Sequence, residues 1–91
     1  MLSKSAVVQN EVGLHARPAT YFIQRANEFK SSISIEVGNR RVNAKSLLGV
    51  LSLGVIYGTE VTVIAEGPDE QTAADSLVKL INDKLSEEPG N

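Results

Sequence analysis

Ile33-Ser34-Ile35-Glu36-Val37-Gly38-Asn39-Arg40-Arg41-Val42-Asn43 is the stretch that decides the fold. Ile33, Ile35 and Val37 alternate with Ser34 and Glu36, the two-residue period of a strand with one face buried. Gly38-Asn39 supplies the positive-φ chemistry of a two-residue turn, so Arg40 to Asn43 returns as the antiparallel partner. Upstream, Ala19, Phe22, Ile23 and Ala26 recur at i, i+3, i+4 and i+7, the spacing of an amphipathic helix that ends near Glu28. Pro18 falls in its first turn, where a missing N–H costs little. Ser5 to Val8 reads as a first strand, and Gln9 to Leu14 as a loop.

Downstream, Ser46 precedes Leu47, Leu48, Val50 and Leu51, a serine cap before a short apolar helix with Gly54 as its stop. Tyr57-Gly58-Thr59 turns the chain. Val61, Val63 and Ala65 then alternate with polar residues as a last strand. Pro68-Asp69-Glu70 opens a final helix with Ala73, Ala74, Leu77, Ile81 and Leu85 inward, and 86–91 is a polar tail. The order is β-α-β-β-α-β-α in one domain spanning 1–91. Alternating strands need cover on one face only, so three amphipathic helices on one side of an antiparallel sheet make a two-layer, open-faced α+β sandwich.

Composition narrows the function. A chain of 91 residues buries about 60–65% of its unfolded surface, enough for one core but not for a deep substrate cavity. With 9 basic and 11 acidic residues the formal charge is −2, which gives no electrostatic case for nucleic acid or an anionic membrane. The absence of cysteine, with a single histidine, excludes thiolate chemistry and His/Cys metal sites, and nothing calls for a cofactor. The amino terminus does not read as a secretory signal, and no stretch approaches the roughly 20 apolar residues of a membrane span. The expected location is the cytoplasm.

The candidate site is Gly13-Leu14-His15-Ala16-Arg17-Pro18-Ala19, where loop gives way to helix. The first amides of a helix lack intrahelical acceptors and carry partial positive charge, which favours a bound anion and a neutral imidazole. His15 can attack phosphorus, the amides of Ala16 and Arg17 can receive the phosphoryl oxygens, and the Arg17 guanidinium can reach back to them. Each dipole contact is worth roughly 0.3–1 kcal/mol, a modest grip that suits a group meant to be passed on.

This motif resembles the active-site sequence of the HPr family, the histidine-containing phosphocarriers of the bacterial sugar phosphotransferase system. Val42-Asn43-Ala44-Lys45-Ser46-Leu47-Leu48-Gly49-Val50-Leu51-Ser52-Leu53-Gly54 resembles the family's regulatory segment, and Gly58 to Val63 with Glu66 to Glu70 resembles its last strand and last helix start. The resemblance implies strand order 1-4-2-3. It also implies that enzyme I, charged by phosphoenolpyruvate, phosphorylates His15 on Nδ1, and that the group passes to the A domains of sugar-specific permeases. Arg17 becomes the phosphate-stabilising residue. Val12 departs from the small polar residue usual three positions before the histidine; valine cannot cap a helix.

By the same resemblance Ser46 is the serine that a serine kinase, HPr kinase/phosphorylase, modifies, creating a form that a catabolite repressor reads. A phosphate there adds about −1.5 to −2 charge at a helix start, which the fold tolerates. The two-turn helix cannot bury every face, so Leu51 or Val50 is expected inside and Leu47 with Leu48 outside. With Thr20, Gln24, Asn27, Gly49, Leu51, Ser52 and Gly54 they would form a shared docking surface, used transiently by a monomer. Arg40 and Arg41 read as solvated charges. A regulatory module of the Crh kind, with glutamine at the acceptor position, is the alternative; His15 discriminates against it. A self-contained enzyme lacks a second acid–base group near His15 and room for a substrate.

Overall fold

The computed structural model describes residues 1–8, 16–55 and 58–82, with the backbone alone for 16–18. The elements follow the order β1 (Leu2–Val7), α1 (Ala16–Ala26), β2 (Ser32–Val37), β3 (Arg40–Asn43), α2 (Leu47–Ser52), β4 (Glu60–Glu66) and α3 (Glu70–Asn82). The four strands form one antiparallel sheet of order β1-β4-β2-β3. The helices lie on one face, as the alternating strands require. Leu85 of the expected inner helix face, and the tail, lie outside the described residues.

Register shows how one face becomes the core. Ile33, Ile35, Val61, Val63 and Ala65 point to one side and are almost wholly excluded from solvent. Ala19, Phe22 and Ala26 of α1, Val50 of α2, and Ala73, Ala74, Leu77 and Ile81 of α3 close over them. The two-residue turn at Gly38-Asn39, with φ 61 at Gly38, joins Val37 to its opposite, Arg40.

Three expectations are corrected. The first strand begins at Leu2 rather than Ser5. Lys4 breaks the apolar alternation, yet it shares the inner face with Leu2 and Ala6, opposite Val63. Its stem covers the sheet edge while its ammonium reaches Asp75 on α3. The other face is not wholly polar either. β4 is an interior strand, and Ile64 is 7% exposed on the helix-free side, between Ser3 of β1 and Ser34 of β2. α1 closes at Ala26, two residues before the expected end, and Asn27 and Glu28 continue only as a turn.

The α1–β2 and β4–α3 connections are stapled together. Asp69 was expected only to open α3. Its backbone does so, accepting from the Ala73 N–H at 2.9 Å, but its carboxylate reaches 38 residues back. Oδ1 accepts from the Ser31 hydroxyl at 2.5 Å and the Ser31 N–H at 3.0 Å, and Oδ2 from the Lys30 N–H at 2.9 Å. The Ser31 hydroxyl and then the Lys30 amide hold the Asp69 carboxyl below the ordinary aspartate range. A carboxylate whose pKa is depressed by folding contributes stability above its unfolded pKa, and that contribution is lost as pH falls through the folded value. Asp69→Asn should therefore melt at a lower temperature than the parent at pH 7, with the gap closing below about pH 4. Thermal melts from pH 2.5 to 7 check this, and parallel pH profiles would remove Asp69 from the acid limb.

Candidate functional site

α1 starts at Ala16, so the amides of Ala16 and Arg17 belong to its first turn and have no intrahelical acceptors. His15 is the residue before it in the sequence. His15, Gly13, Leu14 and Val12 lie outside the described residues, as do the side chains of Arg17 and Pro18.

The second segment is built in detail. After β3, the Asn43 side chain accepts from the Lys45 N–H at 2.8 Å, and the Asn43 carbonyl accepts from the Ser46 N–H at 3.1 Å. Lys45 Nζ donates to the Phe29 carbonyl at 2.9 Å. This turn delivers Ser46 to the helix start in an extended conformation (φ −108, ψ 118), the geometry of an N-cap. Its Oγ accepts from the Gly49 N–H at 3.1 Å, and its carbonyl from the Val50 N–H at 3.0 Å. A Cβ on Gly49 would lie 3.3 Å from both Ser46 Oγ and Val42 Cβ, so glycine lets α2 settle close to β3. At the other end Leu53 remains helical and Gly54 turns out with φ 62, the expected stop.

Ser46→Ala removes that cap and should cost about 1 kcal/mol, whereas Ser46→Asp should hold stability near the parent's. Urea denaturation of the three proteins checks this. Equal midpoints for Ala and parent would show that the Gly49 amide is served by water instead.

α2 packs against α1 and leaves an apolar ridge outside. Val50 is buried and Leu51 half-buried, whereas Leu47 is 41% and Leu48 80% exposed. Thr20 and Gln24 of α1 and Asn27 in the turn that follows are exposed at helical spacing and share a stripe. Asn27 also closes the helix, its Nδ2 donating to the Ile23 carbonyl at 2.9 Å. Ser52 is exposed but internally engaged. Its hydroxyl donates to the Gly49 carbonyl at 2.6 Å and accepts from Arg40 Nη2 at 3.2 Å, while Arg40 Nη1 donates to the Ser52 carbonyl at 2.7 Å. Arg40 is exposed, as expected of a solvated charge, and also braces the end of α2. The only signal was its inward register opposite Val37.

The match to known proteins follows this frame from end to end. The family model for the PTS HPr component phosphorylation site covers residues 2–83. The chain belongs to the PTS HPr family. Among its relatives is the HPr-like protein Crh of Bacillus subtilis (strain 168), 44% identical over 85 residues, which span 93% of this chain and 100% of that one. The crystal structure of HPr-C-His from Thermoanaerobacter tengcongensis superposes with a TM-score of 0.91 at 48% identity, covering 97% of this chain and 99% of the other. A crystal structure of an HPr dimer from the same organism aligns with a TM-score of 0.75 at 47% identity, covering 96% and 100%. HPr relatives thus include a dimer. No helix among the described residues is long and apolar enough to cross a membrane.

Proposed function

We propose that this HPr-family chain is a cytoplasmic histidine phosphocarrier. It takes a phosphoryl group from phosphorylated enzyme I onto Nδ1 of His15 and delivers it to the A domains of sugar-specific permeases. The observation that carries this reading is that the lone histidine immediately precedes Ala16, the first residue of α1, within the span the family model matches. The Nδ1 lone pair forms the new N–P bond as the donor's bond to phosphorus breaks. The amides of Ala16 and Arg17 and the Arg17 guanidinium receive the phosphoryl oxygens. The onward transfer runs the same displacement with the partner's nucleophile. The chain is a carrier and not itself a catalyst, since its partners supply the acid–base groups and the closed site.

The exposed Leu47–Leu48 ridge and the Thr20, Gln24 and Asn27 stripe form the docking surface, with Gly49, Leu51, Ser52 and Gly54 shaping α2 beneath it. One small surface must release each partner to meet the next. The chain meets them as a monomer.

Ser46 is the regulatory phosphorylation site for a serine kinase, and its phosphoform is a ligand for a catabolite repressor. As the N-cap of α2 it can carry a phosphate at the positive end of the helix while placing new negative charge beside Leu47 and Leu48. That Crh proteins are among the relatives favours a second reading, a module working through Ser46 alone. The glutamine of that branch at the acceptor position cannot carry phosphate, and His15 here can. Incubation with enzyme I and phosphoenolpyruvate, followed by mass mapping, tests the choice. Acid-labile phosphate on His15 is the expected result; an unlabelled His15 under conditions that charge a control HPr would end the carrier reading.

A further inference from the structure

A groove of about 360 Å³ opens near the β2–β3 edge, lined by residues of the α1–β2 connection, both strands and the turn before Ser46. Its polar lining is Lys30, Ser31, Ser32, Ser34, Arg41, Asn43 and Lys45; no carboxylate lines it, although the Ser31 amide and hydroxyl are already held by Asp69. Register puts Ser32, Ser34, Arg41 and Asn43 on the helix-free face of the sheet, the side opposite α1 and α2. Three cations on one concavity are unexpected in a chain of net charge −2.

The donors there are largely uncommitted. Among the described residues, the side chains of Lys30 and Arg41 make no ion pair or hydrogen bond, nor do the hydroxyls of Ser32 and Ser34. Asn43 spends its carbonyl oxygen on the Lys45 N–H, which leaves its NH₂ group as a donor. Lys45 gives one of its three N–H bonds to the Phe29 carbonyl, which leaves two. Glu36 lies opposite Arg41 and Glu66 opposite Ser32 on the same face, but neither lines the groove.

We propose that this groove, whose lining includes neither Ser46 nor the start of α1, binds a small phosphorylated anion carrying two or more phosphate charges. Clustered like charges repel one another, and an anion that bridges them removes the repulsion as it gains theirs. The volume lies near the lower end of the range for small-molecule sites, about 300–1,000 Å³. The lining offers ammonium, guanidinium, hydroxyl and amide donors, the set that phosphate oxygens accept from. A singly charged anion would engage too few of them to outlast screening by salt.

The test is a titration of the ¹⁵N-labelled protein with inorganic pyrophosphate at constant ionic strength, followed by amide chemical shifts. Saturable shifts confined to 30–34 and 41–45 are expected. Lys30→Gln combined with Arg41→Gln should weaken binding by about tenfold or more while the remaining spectrum stays native, because neither side chain supports the fold. Three results would overturn the proposal: shifts reproduced by sodium chloride alone, saturable shifts centred on Ala16–Arg17 and Ser46, or unchanged affinity in the double variant. A fourth, shifts at these amides with an oligoglutamate peptide and none with pyrophosphate, would give the groove to an acidic protein partner instead.

Discussion

His15→Gln should reduce acid-labile phosphate incorporation from enzyme I to background and abolish relay to a permease A domain. The amide nitrogen of glutamine has its lone pair delocalised into the carbonyl, so it is no nucleophile at neutral pH, whereas a neutral imidazole keeps a free lone pair on one ring nitrogen. Ser46 should remain a substrate for a serine kinase and give an acid-stable adduct. That pairing separates the two readings within the family: under the carrier reading the variant loses the His15 label and keeps only the Ser46 modification. Relay assays with mass mapping of both positions read the outcome. Persistent acid-labile label in the variant would remove His15 from the acceptor role.

The main lines of the fold were legible because they rest on local periodicity. Ile33, Ile35 and Val37 alternate, Gly38-Asn39 permits the turn, and the chain pairs as those residues require. Ser46 was legible as a cap because the side chain and the amide it serves are three residues apart. Lys4 was not, because a charge on an inner face breaks the pattern used to find strands, and only the distant Asp75 on α3 explains it. Asp69 shows the same limit. Its backbone role at the start of α3 is local and was expected, while its bonds to Ser31 and Lys30 depend on two connections meeting in space. Arg40 and the groove beside Arg41 and Lys45 are likewise products of tertiary placement. The family resemblance was a different kind of reading, a match of motif to family rather than a deduction from spacing.

Replacing Gly67 should produce the largest loss of stability. Gly67 has φ 151, a conformation that strains any L side chain. A Cβ there would also lie 2.7 Å from Ser31 Cα, 2.7 Å from Ser31 Oγ and 2.9 Å from Ser31 Cβ. One of these atoms is backbone and the Cβ is fixed to it, while the hydroxyl is tied to Asp69, so none of the three can swing aside freely. Ser31 is held by Asp69 through both its amide and its hydroxyl, and the Gly67 N–H donates to Glu70 Oε1 at 3.0 Å. Backbone strain and overpacking each cost about 1–3 kcal/mol, so Gly67→Ala should lose roughly 3 kcal/mol. For a chain of this size that lowers the melting temperature by on the order of 10–20 °C. Relief requires the two connections to separate, which breaks the bonds that hold the Asp69 carboxyl low. Its pKa should then rise toward the ordinary aspartate range, a change that carboxyl ¹³C shifts report residue by residue. A variant melting within about 2 °C of the parent, with Asp69 still titrating low, would show that β4 and α3 can part from Ser31 without cost and that this close approach does not fix the joint between them.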